Sequence, residues 1–587
     1  ISKDSEPEAK KNNEKVENIS GKTEDSVKTK EEKKEKREVK IISSNKDKNK
    51  QKEEIGASQK IDMDLEEFGF DEIPTSQGAS NNWVISGKYT KSGYPHLVND
   101  PHLTNSMPGI MYAAKIYLPD NTITGQMVPG LGVFSTASTK YLAWGVTSEN
   151  NDQTDLCEER IKDDHYYFNN KTLPLVRTEE TIIVKGAEEE IVEVTWTKNG
   201  PLVNDIIKEI NPTKLEFNSL SPVSFRISWY LTSEFSFDFI LRMTRAKHMD
   251  EASKEMSRYV SPNLNIVWAN VKGDIGYVRV GKMPVKESTA TNLYKRSFCK
   301  GWLSQDEYVG FLPDHHQPTV TNPSKGYMVS ANNRMTTENY VSDYSGEHLY
   351  GRSYRIRQLI EERINKKTED EEAKKFSAED HFELLSDVKD VYAELSLSKL
   401  YTIYERNKKK EYEEFRKHVQ QLQEYQQIAQ SNPDFEPPES KYKPPESIVF
   451  IEHLRKWNYT MESDSHVASI WSILEYNLGY QLLGGMKPEI AKGVLSGKTY
   501  WNFVHSLIDK VHQGKMVDLK ACSYLSGSKN CEKYIVRVLD NLPTYLKEEA
   551  NFKGNIPAYG DLAPQYYPHI LFDKIPVLKY FFSKSVA

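Results

Sequence analysis

Hydrophobic and polar positions divide the chain into three textures. Residues 1–60 are mostly Lys, Glu, Asn, Asp and Ser, with hardly an aromatic among them. Such a segment buries too little apolar surface to offset its ordering entropy, so the pattern predicts disorder. Residues 61–79 (IDMDLEEFGFDEIPTSQGA) read as a short spacer ending in a loop. From Ser80 onward, short β-rich runs alternate with Gly, Pro and Asn. Residues 181–184 (TIIV) and 191–197 (IVEVTWT) flank a turn at Gly186-Ala187-Glu188 and predict a hairpin. Residues 265–271 (NIVWANV) and 276–280 (GYVRV) flank Lys272-Gly273-Asp274 and predict a second.

Near Tyr354 the period changes to that of a helix. Residues 354–364 carry apolar side chains at i, i+3 and i+4, and residues 378–395 continue the pattern with Phe382, Leu385 and Val388. Residues 405–447 are charged, then Gln-rich, then Pro-rich, which predicts an exposed helix and a linker inserted into the fold. Helical spacing resumes over 448–483. Strands first and helices later give an α+β class. The organisation expected is a disordered segment 1–60, a spacer 61–79, a β-rich core 80–360 and a mainly helical region 361–587.

Composition narrows the function classes. The formal net charge is -7 over 587 residues, which provides no basic field for nucleic acid. There is no run of eighteen apolar residues, so no transmembrane span is expected. Of the four cysteines, none forms a CxxC pair. Cys522 and Cys531 bracket a short loop and suit either a disulfide or two buried thiols. Asn18-Ile19-Ser20, Asn170-Lys171-Thr172 and Asn458-Tyr459-Thr460 are glycosylation triplets. P-loop, dinucleotide, HExxH and GxSxG signatures are missing, and Asp314-His315-His316 lies between prolines in a predicted loop. The chain starts at Ile1, which suggests a fragment or a processed form.

The candidate chemistry lies in polar clusters embedded in β-rich sequence: QGASNNWVISG at 77–87, VNDPHL from Val98, YLAWGVTSENNDQTDL from Tyr141, KNGPLVND from Lys198 and GYMVSANNRM from Gly326. Each alone reads as a turn. Taken together, in this order and spacing, they resemble the penicillin amidase (penicillin acylase) family of N-terminal-nucleophile hydrolases, over roughly residues 77–400 and more loosely 445–587. The hairpin ending GYVRVGKMPVK fits the same order.

The resemblance implies a four-layer αββα sandwich with a helical arm, made as a zymogen that cuts itself between Ala79 and Ser80. The freed α-amine of Ser80, with an ordinary pKa of about 7.7–8.0, would serve through a water as base for its own hydroxyl. The implied reaction is hydrolysis of a linear N-acyl amide, a small molecule whose amine side is a β-lactam nucleus, an acyl-homoserine lactone or an amino acid. The side chain of Asn332 and the backbone N–H of Ser148 would hold the oxyanion. His102 would orient the Ser80 amine and hydroxyl. Arg355 would place substrate or N-terminus, or else make a helix-surface salt bridge. One structural Ca2+ would be held by Asp152, Asp155, Asp343 and the carbonyls of Thr154 and Pro284, an oxygen set suited to that ion. The family's α chain, which supplies one further ligand and part of the pocket, has no counterpart in residues 1–79, so truncation at both ends is expected. Export to the cell exterior or an extracytoplasmic lumen follows from the family's habit. A catalytically silent relative that binds a partner through the helical arm is the alternative.

Overall fold

In the computed structural model, the described residues are 79–586 apart from 104, 150–152, 207–220, 233–237, 287–298, 305–306, 337–350, 433–434, 439, 485–497, 550–555, 563–564 and 568–583. The segments 1–60 and 61–79 read from the sequence therefore lie outside them, except for Ala79.

Two antiparallel sheets form the β core. The first joins β1 (Ala79–Ile85) to β2 (His96–His102) on one side. On its other side β1 pairs with a strand that comes much later in the chain. Between them, β3 (Tyr112–Tyr117), β4 (Thr122–Met127), β5 (Phe134–Ser138), β6 (Leu142–Ser148), β7 (Leu264–Asn270), β8 (Ile275–Val280) and β9 (Thr319–Thr321) make a sheet ordered β9-β8-β7-β6-β5-β4-β3. The first sheet is completed by β10 (Tyr327–Ser330).

Strand alternation explains how the layers stack. Val84 of β1 meets Val267 and Ala269 of β7 and Ile275 and Tyr277 of β8 in a core between the two sheets. The neighbouring positions Trp83 and Ile85 point to the other face and pack on Ile356 and Ile360 of a helix, α3 below. The outer face of the larger sheet, with Phe134, Trp144, Ile266 and Trp268, is covered by α1 (Asp238–Met243) and α2 (Met249–Met256) through Phe239, Met243 and Met256. Helix, sheet, sheet, helix is the four-layer αββα order. At Gly145 of β6 the sheets approach closely: a Cβ there would lie 2.7 Å from Asn99 Oδ1 of β2.

Both hairpins form. Residues Val176–Ile182 pair with Glu190–Thr197, and β7 pairs with β8. The turn of the latter uses Gly273 at φ +96°, with Asn270 Oδ1 accepting from the N–H of Lys272 and of Asp274, 2.9 Å each.

Helices follow: α3 (Gly351–Ile364), α4 (Val391–Asn407), α5 (Lys409–Ser431), α6 (Glu446–Arg455), α7 (His466–Tyr480), α8 (Lys498–His512) and α9 (Cys531–Glu549). Apart from α3 they share a separate core with Leu397, Tyr404, Ile451, Trp471, Ile508 and Leu542. The charged stretch forms α5, in which Tyr412 is the buried residue.

One expected helix is corrected. Residues 378–395 split into Asp380–Leu385 and the start of α4. Asp390 caps α4 by accepting from Ala393 N, 2.9 Å, so a helix begins there rather than passing through. Phe382, Leu385 and Val388 are exposed, and His381 is the residue buried in their place.

Disulfides join Cys522 to Cys531, one of the two arrangements left open above, and Cys157 to Cys299. Among the described residues no helix is long and apolar enough to cross a membrane.

Candidate active site around Ser80

Ser80 is the second residue of β1 and is buried. It shares a strand face with Asn82, whose Nδ2 donates to the Gly145 carbonyl at 3.2 Å, so Ser80 faces the larger sheet. Its hydroxyl donates to the carbonyl oxygen of Ala79 at 2.5 Å. That carbonyl group is the one whose carbon a self-cleaving serine must attack. Its backbone N–H donates to Asn332 Oδ1 at 2.6 Å.

Asn332 follows β10 in a turn with φ +61°. Asn tolerates this left-handed conformation better than most residues, and it aims the carboxamide back at β1. The other end of that amide, Nδ2, donates to the Ser148 carbonyl at 2.7 Å. Ser148 ends β6, opposite Leu264 of β7. Ser80, Asn332 and Ser148 are thus brought together from β1, from the turn after β10, and from the end of β6.

His102 and Arg355 sit differently from the sequence expectation. The β1–β2 register sets Ser80 opposite Pro101 and Asn81 opposite Asp100, with His102 opposite Ala79. The His102 imidazole is therefore on the α3 side of the sheet. Its Nε2 donates to Asp100 Oδ2 at 2.8 Å and lies 3.3 Å from Asn81 Nδ2. Contact with Ser80 is indirect, through Asn81.

Arg355 is held by Asp387, Nε to Oδ1 at 2.9 Å and Nη2 to Oδ2 at 2.7 Å. The arginine that touches Ser80 is Arg352, one turn earlier in α3. Arg352 Nη1 donates to the Ser80 carbonyl at 2.7 Å and to Asn81 Oδ1 at 2.6 Å. Its Nη2 donates to the Ala331 carbonyl at 2.9 Å and to Asn332 Oδ1 at 3.2 Å. Arg355 thus makes a salt bridge, one of its two readings from the sequence, and Arg352 is the α3 arginine in contact with Ser80. The sequence signal was the same helical run, GRSYRIR, with arginines three apart. Helical spacing puts both on neighbouring turns of one face, and only the position of β1 distinguishes them.

Asp100 closes the cluster. Its Oδ2 also accepts from Asn81 Nδ2 at 3.2 Å. The His102 hydrogen bond holds its carboxyl below the usual carboxylate range against the opposing effect of burial, and Arg352 adds to the lowering.

The expected calcium set is only partly in view. Asp152 and Asp343 lie outside the described residues. Thr154 and Asp155 are on the strand Thr154–Glu158, and Pro284 begins the strand Pro284–Lys286. The Asp155 carboxylate accepts from Arg226 Nη2 at 2.9 Å and Nε at 3.3 Å, both side chains nearly buried. That arginine already neutralises the acid a cation would need. As it stands here the Asp155 carboxylate is engaged by Arg226, and no step below involves a calcium ion.

Comparison with known proteins agrees with this fold and chain order. The family model described as penicillin amidase matches residues 10–579. An acyl-homoserine lactone acylase of Pseudomonas aeruginosa is 28% identical over 294 residues, covering 48% of this chain and 33% of that protein. The penicillin acylase 2 proenzyme of a Pseudomonas species is 27% identical over 284 residues, 48% of this chain and 35% of its own length. Penicillin G acylase of Escherichia coli is 25% identical over 287 residues, 48% of this chain and 32% of that protein. The matched part of the chain thus spans about a third of the length of these relatives. In three dimensions, the thermostable penicillin G acylase of Alcaligenes faecalis superposes with a TM-score of 0.58 at 17% identity, covering 83% of this chain and 82% of the other. The likeness shows that the chain shares the fold of that penicillin G acylase. The chain belongs to the penicillin amidase family.

Proposed function

We propose that the protein is a self-processing amidohydrolase that cleaves a linear N-acyl amide through an acyl-enzyme on Ser80. The observation that carries this reading is the Ser80 hydroxyl lying 2.5 Å from the carbonyl oxygen of Ala79, while Asn332 holds the N–H of the same peptide unit. Family membership and relatives named as acylases support it.

In self-cleavage, Ser80 Oγ bonds to the Ala79 carbonyl carbon and the Ala79–Ser80 C–N bond breaks, leaving an ester and an α-amine on Ser80. Water hydrolyses the ester. The freed amine then takes the hydroxyl proton through a water as Ser80 attacks substrate. The Asn332 amide carries two N–H donors. One is on the Ser148 carbonyl, and the second would receive the oxyanion together with the Ser148 N–H. The amine product leaves and water releases the acid. A β-lactam nucleus, a homoserine lactone or an amino acid suits the leaving amine. The two disulfides support an exported protein, since such bonds persist in oxidising compartments.

Intact mass and N-terminal sequencing of the protein from its native source test the reading. A chain beginning at Ser80 is expected. A chain running intact through Ala79-Ser80 sinks the proposal, because the base never forms.

A further inference from the structure

The two donors assigned to the oxyanion come from different sheets. The Ser148 N–H is at the end of β6 in the larger sheet, and the Asn332 amide follows β10 in the smaller one. Their spacing therefore depends on how the sheets are tied together at that end. One tie is the Asn332 amide itself, on the Ser148 carbonyl. A second is built from four side chains. Strand alternation puts Asn265 of β7 on the same face as Val267 and Ala269, which line the core between the sheets. Thr147 of β6 is its partner across the ladder. Both are buried, as are Tyr277 of β8 and Ser330 of β10.

These four form a relay from sheet to sheet. The Tyr277 hydroxyl donates to Asn265 Oδ1 at 2.7 Å. Asn265 Nδ2 donates to Thr147 Oγ1 at 3.3 Å and to the Ser148 carbonyl at 3.4 Å. Thr147 Oγ1 lies 2.8 Å from Ser330 Oγ, across the gap between the sheets. Ser330 pairs with Asn82 of β1 and stands two residues before Asn332. Donor chemistry orients the Asn265 amide: a carbonyl only accepts, so the NH2 faces β6 and the oxygen is left for Tyr277.

The backbone at Thr147 connects this relay to the site. The Glu149 N–H donates to the Asn263 carbonyl, on the β7 side, at 3.0 Å. N–H groups alternate in direction along an antiparallel strand, so the Ser148 N–H turns away from β7. That N–H lies in the planar peptide joining Thr147 to Ser148. Thr147 thus carries both the bond to the other sheet and one side of the peptide that aims the oxyanion donor.

We infer that Thr147 is a positioning residue: its hydroxyl, held by Asn265 and Tyr277, bridges to Ser330 and sets the spacing between the Ser148 N–H and the Asn332 amide. This deepens the reading of Ser80 as an N-terminal nucleophile and rests on it. The relay touches no reacting atom and acts through Ser148 and Asn332.

The test is steady-state kinetics of matured Thr147→Val and Thr147→Ser against wild type, with the 4-nitroanilides of phenylacetic acid and decanoic acid as probes. Rates are expressed per active site, counted by reaction of Ser80 with phenylmethylsulfonyl fluoride. Valine keeps the branched shape and removes the hydroxyl. Oxyanion donors act in the transition state, so kcat per site should fall about tenfold or more, with KM within about twofold of wild type. Thr147→Ser keeps the bond and should stay close to wild type. Ser330→Ala removes the same bond from the other sheet and should match Thr147→Val, and the double variant should be no slower than either. A merely structural role would lower the number of reactive sites and the urea midpoint but leave kcat per site unchanged, and that result overturns the inference. Equal losses in Thr147→Val and Thr147→Ser overturn it too, since neither would then report on the hydroxyl. A wild-type chain that never exposes Ser80 is a different outcome: it removes the proposed function, and this inference with it.

Discussion

Asn332 serves two partners with one amide: Oδ1 receives the Ser80 N–H and Nδ2 donates to the Ser148 carbonyl. Its backbone stands at φ +61°. Those two facts can be separated. Asn332→Ala removes the amide and also places a residue poorly suited to that φ, so hydrolysis should fall by about 10²–10³ and stability by about 1 kcal/mol. Asn332→Gly should lose the same activity while sparing most of the stability. Steady-state kinetics and urea unfolding on both variants check this, and equal unfolding midpoints would refute the strain. The arginines of α3 make a similar pair. Arg352→Ala should reduce self-cleavage and turnover steeply, because it touches the Ser80 carbonyl and the Asn332 amide. Arg355→Ala should leave rates nearly unchanged and cost about 1–3 kcal/mol by stranding a part-buried Asp387. The reverse ranking in a maturation assay by mass spectrometry would restore the sequence-based assignment. At this scale the sequence is informative about residue type and order. Which of two arginines three residues apart faces the serine depends on where β1 crosses α3, and that is a tertiary fact.

At the scale of elements, β1 shows why some of the fold was legible and some was not. SNNWVI is three polar residues then three apolar ones, so its pattern does not show its facing: Asn82 and Val84 face the larger sheet, Trp83 and Ile85 face α3, and the strand is covered on both sides. The hairpin between β7 and β8 was legible, because turn chemistry at Asn270-Val271-Lys272-Gly273-Asp274 sets it locally. The stretch 378–395 misled because Phe382, Leu385 and Val388 have helical spacing yet are exposed, while Asp390 starts a new helix. The residue buried within Asp380–Leu385 is polar. His381 Nδ1 accepts from Trp83 Nε1 at 3.1 Å, and its Nε2 lies 3.0 Å from His96 Nδ1. Since Nδ1 accepts, the ring is neutral and carries its proton on Nε2. Burial pushes the His381 pKa down to about 4, with the neighbouring His96 and Arg363 adding to the lowering and Asp380 opposing it. Burial likewise lowers His96. The unfolded chain binds these protons first, near pH 6.5, so their contribution to stability is complete above that pH. As pH falls from about 6.5 to 4, the unfolded state gains protons that the folded state refuses, and stability drops, on the order of 2 kcal/mol. Urea midpoints across that window should slope in wild type and flatten in His381→Gln, whose carbonyl still accepts from Trp83. Parallel slopes in the two proteins would count against the assignment.

Across the whole molecule, two kinds of core are joined by one chain. The sandwich core is built from strands distant in sequence: β10 closes on β1 across more than two hundred residues, and the site depends on that closure through Asn332. The arm's core comes from α4–α9, nearer neighbours along the chain. The disulfides fall one to each part. Cys157–Cys299 closes a loop of 142 residues beside the sandwich, and Cys522–Cys531 closes one of 9 residues in the arm. Loop-closure entropy then predicts unequal contributions, about 5 kcal/mol for the long loop and about 2.5 kcal/mol for the short one. The pairing of Cys157 with Cys299 had no signal in the sequence, because it depends on the strand Cys299–Lys300 lying parallel to Thr154–Glu158. Replacing both members of each pair by serine separates the effects. The Cys157/Cys299 variant should unfold at distinctly lower urea and lose self-cleavage together with the sandwich. The Cys522/Cys531 variant should lower the stability of the arm by roughly half as much, with maturation at Ala79-Ser80 intact. Loss of maturation in the second variant as well would mean that the arm and the nucleophile strand fold as one cooperative unit despite their separate cores.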